Sequence, residues 1–387
     1  MRFTDSIFAN LLKPIDRRRF SRIVDECDGD AYDKTFSSWQ HLQALVYAQL
    51  SGLDSLRGLE TGFNANANHH YHLGACELKR STLSDANARR PVEVFARTFT
   101  MLAGTAERHL RQEGAEMIRL IDASPVPLGK VCGWAEWNGR IRGMKMHVVY
   151  DPHADWPRCV EVTPATINDV EVGRRTPIEA GATYVFDKGY CHYGWWKQID
   201  AAQAHFITRP KTNARFKVVA HRYVRKVIGD GFRIIDDAQV VLVSKGDSRL
   251  PFRLRRVRVR RDDGTKITLI TNDLKRTAAD IAMLYKLRWQ IELLFRWIKQ
   301  HLHIRKFLGS NENAIQLQII AAMIAYLLLR IAARVNCVKM PALRLAELIC
   351  QRLFMRRPIA EIDKPPPVNP TTPQPKFSPN QLAFCYA

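Results

Sequence analysis

The chain is poor in acidic residues and lacks the cysteine spacings of metal-bound or disulfide-bonded proteins. It has 38 Asp and Glu against 59 Lys and Arg, which gives a formal net charge of +21. Its eight cysteines include no CxxC pair, which argues against a zinc site and a disulfide framework. No signal peptide is expected, because Asp5, Asn10, Pro14 and Asp16 interrupt the first residues. These absences favour a cytoplasmic protein, and the excess of bases favours a polyanionic partner, either nucleic acid or an acidic membrane surface.

Long apolar runs without polar residues are also scarce. The one candidate is 314–333, "AIQLQIIAAMIAYLLLRIAA", which contains Gln316, Gln318 and Arg330. Its charge-free apolar part is short for a membrane span. We therefore expect a buried helix and no membrane association.

The length and the changes in periodicity predict a multidomain α/β (α+β) protein. At 387 residues with 46% hydrophobic and 25% charged residues, the chain is globular and exceeds one ordinary core. Helical patterns come first, then strands mixed with helices, then almost continuous strands, then helices again. The expected segments are a helical domain of DNA-binding, helix-turn-helix character (1–115), an α/β core (116–210), a β-rich insertion (211–274), the second part of the core (275–335), and a C-terminal helix with a proline-rich tail (336–387).

Two local patterns in the N-terminal segment are specific enough to test. Serine caps at Ser37 or Ser38 and a glycine at Gly52 predict a helix between them. The stretch 64–74, "NANANHHYHLG", contains three histidines but no acid or cysteine spaced to complete a metal site, so it predicts a polar loop.

Two aspartates follow apolar strands in the α/β segment. The stretch "MIRLIDASP" predicts a strand that ends at Asp122, and "ATYVFDKGY" predicts one that ends at Asp187. Ligands in α/β sheets gather at the carboxyl ends of strands, although an Asp in this position is also a common turn former. Both acids are therefore candidates for chemistry, with Asp151 or Asp169 as replacements if Asp122 lies far from the site.

The stretch 285–300, "YKLRWQIELLFRWIKQ", contains a single acid, Glu292. At about 100° per residue, Tyr285, Arg288, Glu292 and Lys299 share a narrow arc beside the apolar stripe of one helix. An ion pair with Arg288 or Arg296 would explain the acid simply. Three convergent carboxylates in a basic protein have another use, since hard oxygen ligands select Mg²⁺ or Mn²⁺, and two such ions can drive phosphoryl transfer on DNA.

The spacing Tyr285-x2-Arg288-x3-Glu292-x6-Lys299 resembles the Y-R-E-K signature of bacterial insertion-sequence transposases of the insertion-sequence-four type. Asp122 and Asp187 look like the first two acids of the DDE triad of that family. The β-rich block resembles the insertion that interrupts its RNase H-like core. The resemblance covers nearly the whole chain except the proline-rich tail.

The resemblance implies a cut-and-paste DNA transposase with an RNase H-like fold. It implies that Asp122, Asp187 and Glu292 bind two Mg²⁺ or Mn²⁺ ions, and that the protein acts as a homodimer on double-stranded DNA. The substrates would be the terminal inverted repeats and target DNA in the bacterial nucleoid, with a hairpin intermediate in some members.

The same resemblance implies which residues contact DNA. Tyr285, Arg288 and Lys299 would hold phosphates, and Lys188 and Tyr190 of "FDKGY" are further DNA-binding candidates. In the helical domain the candidate bases are Lys79, Arg80, Arg89 and Arg90. An aromatic that assists base flipping is not assigned, and Phe232 and Phe252 are only candidates.

Two other functions remain open from the sequence alone. A non-transposing metal-dependent nuclease of the same fold would carry the same acids. A DNA-binding protein without catalysis would share the basic surface but lack one carboxylate, whereas all three are present here.

Overall fold

The structure is a computed structural model. It describes residues 5–33, 35–110, 116–129, 132–222, 228–229, 231–243, 250–302, 304 and 306–364. The expected proline-rich tail lies outside these residues.

Among the described residues, helices dominate the parts before β1 and after β10, and strands dominate the part between them. The helices are α1 (Ile7–Leu12), α2 (Arg17–Glu26), α3 (Ser38–Ser51), α4 (Leu56–Asn64), α5 (His70–Leu73), α6 (Arg80–Arg89), α7 (Val92–Leu110), α8 (Asp169–Arg175), α9 (Tyr193–Ala201), α10 (Ala278–Leu287), α11 (Trp289–His301), α12 (Glu312–Val335) and α13 (Ala342–Gln351). The strands are β1 (Ile118–Pro127), β2 (Gly143–Asp151), β3 (Trp156–Pro164), β4 (Thr183–Phe186), β5 (His205–Thr208), β6 (Phe216–His221), β7 (Ile228–Gly229), β8 (Phe232–Leu242), β9 (Leu254–Arg261) and β10 (Lys266–Thr271).

Helix α3 begins and ends where its sequence predicts. The Ser37 side chain accepts a hydrogen bond from the Gln40 backbone N–H, and the Gln40 side chain accepts one from the Ser37 N–H, which forms a capping box. Gly52 ends the helix at φ 76°, a left-handed conformation that glycine adopts without steric cost. The stretch 64–74 differs from the predicted loop, because it forms a short 3-10 turn (Ala67–His69) and α5.

The strands form one mixed sheet in the order β3-β2-β1-β4-β5-β10-β9-β8-β6, with β7 paired to β8. The first five strands are the RNase H-like part, in which β1, β4 and β5 run parallel. The described residues of 211–274 form mainly strands, and these strands do not form a separate sheet. Instead β10 pairs with β5 and extends the core sheet.

A hydrophobic core lies on each face of the sheet. One core joins the N-terminal helices, α11 and α12 to one face. The other packs α9, with Trp195, Trp196 and Ile199, on the opposite face. Because α12 packs against both α3 and α7, the N-terminal helices and the C-terminal helices share one core.

Helix α12 is the one described helix long and apolar enough to cross a membrane. Within its most apolar window, 89% of the residues are buried inside the protein. The prediction of a buried helix for 314–333 is therefore confirmed.

Candidate active site

Asp122 and Asp187 are neighbours on adjacent parallel strands. The register between β1 and β4 pairs Ile121 with Phe186, and the next residue in each chain segment is an aspartate: Asp122 within β1 and Asp187 directly after β4. One detail of the prediction is wrong: β1 does not end at Asp122 but continues to Pro127, because it pairs with β2 along this length. Asp122 instead marks the point where pairing with β4 stops.

Both aspartates belong to the sheet face that carries α11. Side chains alternate between the two faces of a strand. Leu120 and Val185, two positions before the aspartates, lie in the core that includes α11, whereas Ile121 and Phe186 lie in the opposite core. The alternation therefore directs the aspartates toward the helix that carries Glu292.

Arg288 joins Glu292 to Asp122. Its guanidinium lies 2.5 Å from the Glu292 carboxylate and 3.6 Å from that of Asp122. The side chain of Arg288 is 19% exposed, that of Glu292 30% and that of Asp122 22%, so all three are largely buried. The ion pair expected from the simple interpretation of Glu292 is present, but it is part of a carboxylate cluster and not an isolated surface pair. Arg296, the other expected partner, lies over the Trp289 ring.

Tyr285 connects the third acid to this cluster. Its hydroxyl donates a long hydrogen bond, 3.4 Å, to the Asp187 carboxylate. The Arg288 guanidinium carbon lies 5.9 Å from the centre of the Tyr285 ring. Tyr285 and Arg288 thus bring Asp122, Asp187 and Glu292 into one continuous set of contacts.

Burial and neighbouring charges change the acidity of these groups. Burial raises the pKa of Asp122 to about 6, against the lowering effect of the Ala123 N–H and of Arg288. Burial and the Asp187 charge raise the pKa of Tyr285 to about 12. Burial alone would lower the pKa of Arg288, but Tyr285 and Glu292 raise it, so the guanidinium stays charged.

The predicted single helix over 285–300 is divided into α10 and α11 at Arg288. The Arg288 N–H bonds back to the carbonyl oxygen of Tyr285, three residues before it, which tightens this turn. Segment 278–301 contains no proline or glycine, so composition does not mark the break. Arg288 keeps right-handed helical backbone angles, φ −50° and ψ −30°, so α11 continues directly from α10.

The remaining residues predicted to contact DNA differ in how exposed their side chains are. Lys188 is exposed directly after Asp187. Lys299 is half-buried, two turns after Glu292 on α11. Tyr190 is 2% exposed and packs with Phe186 and Trp195 in the core on the α9 side. Because its side chain is enclosed, we correct Tyr190 from a DNA contact to a core residue.

The two replacement acids have other partners. Asp151 accepts from the buried Arg119 at 2.9 Å, and Asp169 from Lys145 at 2.9 Å. Since Asp122 contacts Arg288 and adjoins Asp187, neither replacement is needed.

Among the bases proposed for the helical domain, Arg90 is structural. It is 2% exposed and donates to Asp33 and to the carbonyl oxygens of Gly29 and Phe36. Lys79, Arg80 and Arg89 are all exposed, on or directly before α6. Phe232, one of the aromatic candidates, is buried, and Phe252 is half-buried.

The three carboxylates suit a hard divalent cation by ligand type, but in this structure Asp122 and Glu292 contact Arg288, and Asp187 contacts Tyr285. In the described part of the chain, no three Asp, Glu, His or Cys side chains are grouped tightly enough to hold a metal ion as they stand. The Arg288 guanidinium supplies the positive charge between Asp122 and Glu292. A metal ion bound by these acids would therefore take over contacts that Arg288 now makes.

Sequence reasoning missed one base beside these acids. The register between β4 and β5 pairs Phe186 with Thr208, which makes Arg209 the neighbour of Asp187 in the next strand. The available signal was the same as for the aspartates, a charged residue directly after an apolar strand, "AHFITRP".

An RNase H-like sheet with one acid within β1, one directly after β4 and one at the start of α11 is the arrangement expected of a class of DNA-cutting and strand-transferring enzymes. Residues 113–328 match the family model "Transposase DDE domain", and residues 4–76 match "Domain of unknown function (DUF4372)". The chain belongs to the DDE transposase family and is a DNA transposase of insertion-sequence type.

Individual relatives agree with this assignment. The chain is 62% identical to "Putative transposase y4zB" of Sinorhizobium fredii, over 79% of this chain and 85% of that protein. It is 29% identical to "Probable transposase for insertion sequence element IS5377" of Geobacillus stearothermophilus, over 65% of this chain and 66% of that protein. Among solved structures, piggyBac transposase shares the fold, with 9% identity and a TM-score of 0.50 over 95% of this chain and 84% of that chain. Members of the DDE family typically use a divalent metal ion.

Proposed function

We propose that Asp122, Asp187 and Glu292 form the metal-binding DDE triad of this transposase, with two Mg²⁺ or Mn²⁺ ions. The observation that carries the proposal is the contact set in which Arg288 bridges Asp122 and Glu292 while Tyr285 bonds Asp187. When bound, the ions would activate a water or a 3′-hydroxyl and stabilise the leaving oxygen of a DNA phosphodiester.

The other residues of the cluster position the substrate. Arg288 offers a forked set of N–H donors that suits a phosphate, and Tyr285 offers a hydroxyl donor. Lys299 lies on the same helix, about 10 Å along its axis from Glu292 at 1.5 Å per residue, so it can hold a phosphate farther from the cut. Lys188, exposed beside Asp187, is placed for the same role.

The partner we propose is double-stranded DNA, both the terminal inverted repeats and the target. The net charge of +21 favours it, and the piggyBac neighbour was solved as a synaptic complex with hairpin DNA. We propose a homodimer that pairs two ends in the bacterial cytoplasm, associated with the nucleoid. The helices of 1–115 would bind the ends through exposed bases such as Arg80 and Arg89.

The segments 116–210 and 275–335 would carry the catalytic core, with 211–274 as the insertion and 336–387 as the C-terminal part. In the described residues the insertion strands continue the core sheet, so we expect insertion and core to move together.

The test is cleavage of a plasmid that carries the ends of the element, with Mg²⁺, by the wild type and by Glu292→Gln. The substitution keeps the shape of the side chain but removes a charged ligand, so cleavage should be lost while binding to the ends is kept. Lys286→Gln, which changes one charge of α10, is the control and should cut. Equal cleavage by Glu292→Gln and the wild type would disprove the metal-ligand assignment.

A further inference from the structure

An acidic loop stands out in a chain that is otherwise strongly basic. Residues 25–33, "DECDGDAYD", contain five acids and no base, whereas the whole chain has a net charge of +21. Among the described residues, Asp25 and Asp28 form no ion pair, and both are exposed. Tyr32, in the same loop, is fully exposed. Because a surface of this charge repels DNA, the loop is suited to a basic partner.

The acidic loop is held in place by the buried Arg90. The Arg90 guanidinium donates to the Asp33 carboxylate at 2.7 Å and to the Gly29 carbonyl oxygen at 3.2 Å. The Ser38 N–H donates to the Asp30 carboxylate at 2.6 Å. Since these contacts already fix the loop, little conformational entropy is lost when a partner binds its exposed side chains.

A basic groove of about 440 Å³ lies in the insertion, between the chain after β5 and strands β9 and β10. Its charged lining residues are Arg209, Lys211, Arg256, Arg258 and Lys266. In the part of the chain that the structure describes, Lys211 and Lys266 form no ion pair, and both are exposed. Phe216 and Ile267 add apolar lining. A concave surface with this excess of positive charge attracts an acidic partner.

The basic groove opens on the face of the sheet away from the carboxylates. Val257 and Val259 of β9 belong to the core on the α11 side, whereas Leu254 belongs to the core on the α9 side. Because side chains alternate along a strand, Arg256 and Arg258 point to the α9 side. A phosphate at the carboxylates lies on the other face, so the groove is free for a different partner.

The acidic loop cannot reach the basic groove of its own chain. Arg90 ties the loop to the start of α7, and α7 packs on β3 at one edge of the sheet. Strand β9 lies six strand spacings from β3, or roughly 29 Å at about 4.8 Å per spacing, and the groove opens on the opposite face from α7. A loop fixed in this way can fill only the groove of another molecule.

We propose that the acidic loop of one copy of this chain docks in the basic groove of a second copy. The two surfaces have opposite charges, and the Tyr32 ring can lie against an arginine guanidinium of the groove. In a two-fold dimer each copy gives its loop and receives that of its partner, so the contact is made twice. The inference rests on the proposed function, which includes a homodimer, and it names the surfaces that hold the dimer together.

The test alters the charges of the two surfaces in the full chain without DNA. The loop variant is Asp25→Lys with Asp28→Asn, because asparagine tolerates the left-handed backbone of residue 28, at φ 51°. The groove variant is Lys211→Glu with Lys266→Glu. Analytical ultracentrifugation at several salt concentrations measures dimerisation, and circular dichroism and melting temperature check that the variants are folded.

A matched control for the groove variant is Lys339→Glu with Arg344→Glu. It makes the same change in net charge at exposed positions near α13. The control should dimerise like the wild type, and the dimerisation of both should weaken as the salt concentration rises.

The loop variant and the groove variant should each dimerise about tenfold or more weakly than the wild type, because each loses the opposite charge that its partner needs. An equimolar mixture of the two variants should recover dimerisation. In the mixed dimer, one contact pairs an unaltered loop with an unaltered groove, and in the other the introduced lysine faces the introduced glutamates.

Three results would overturn the proposal: a wild type that stays monomeric without DNA, variants that dimerise like the control, or a mixture that dimerises no better than each variant alone. A groove variant that dimerises normally but binds DNA more weakly would also overturn it, because the groove would then be a DNA-binding surface. The failure of the proposed function is separate, since Glu292→Gln tests cleavage and should dimerise like the wild type.

Discussion

The guanidinium of Arg288 lies 2.5 Å from the carboxylate of Glu292, so the phosphate-binding base of the signature is held by the expected metal ligand. Likewise, the Tyr285 hydroxyl donates a hydrogen bond to Asp187, another expected metal ligand. The residues that would bind phosphate and those that would bind metal therefore satisfy each other in this structure. Binding of DNA and of metal should then be coupled. A phosphate bound by Arg288 and Tyr285 would free the carboxylates for metal, and a metal ion bound by the carboxylates would free Arg288 and Tyr285 for phosphate.

The first prediction tests this coupling with Arg288→Gln. Without DNA, the variant should bind Mn²⁺ about tenfold or more tightly than the wild type, because a charge-assisted contact of about 1.5–3 kcal/mol no longer competes. Isothermal titration calorimetry on the DNA-free protein measures this. Lys299→Gln, two turns away on α11, should bind Mn²⁺ close to the wild-type value. Weaker Mn²⁺ binding by Arg288→Gln would contradict the coupling.

The second prediction separates catalytic from structural aspartates. Asp122→Asn should abolish cleavage while the melting temperature stays or rises, because a buried carboxylate near two other acids is removed. Asp151→Asn should instead destabilise the fold by roughly 1–3 kcal/mol, since it weakens the buried pair with Arg119, which keeps Glu179 as a partner. Chemical denaturation and a cleavage assay measure the two effects. A stable, active Asp122→Asn protein would refute the assignment of this acid.

The three acids could be proposed from the sequence because each depends on a local pattern. Asp122 and Asp187 follow apolar strands, and Glu292 lies beside an apolar helical stripe, so short-range periodicity places all three near the core. The structure adds how they meet: the parallel register of β1 and β4 and the contacts of Arg288.

The features that could not be predicted depend on distant partners. The pairing of β10 with β5 joins segments far apart in the chain, and the sequence of neither strand indicates which strand it pairs with. The division of α10 from α11 occurs without proline or glycine. Tyr190 and Arg90 were mistaken for surface residues because residue type indicates chemistry, whereas burial depends on what packs around it.

The third prediction concerns two adjacent arginines, Arg89 and Arg90. Arg90→Gln should destabilise the protein by roughly 1–3 kcal/mol, because it removes the donors to two buried carbonyl groups and to the partly exposed Asp33. Arg89→Gln, at the exposed end of α6, should leave stability unchanged but weaken end binding in a salt-dependent way. Urea denaturation and anisotropy distinguish the two. An equal loss of stability in both variants would contradict the assigned roles.

The last prediction is that the buried His41 makes the protein less stable in acid. Its Nε2 lies 2.7 Å from the Asn87 side-chain oxygen, and burial lowers its pKa from 6.5 to about 3. Between these two values the unfolded chain binds a proton that the folded chain does not, so the free energy of unfolding falls as the pH falls. The expected contribution is about 1.4 kcal/mol per pH unit.

His41→Gln should therefore flatten the pH dependence between about pH 6 and pH 4, whatever its baseline cost in stability. The exposed His153→Gln should keep the wild-type slope and serves as the control. Urea denaturation at several pH values gives the slopes, and comparing variants at each pH cancels the contribution of the carboxylates. A His41→Gln slope as steep as that of the control would show that His41 does not remain neutral in the folded core.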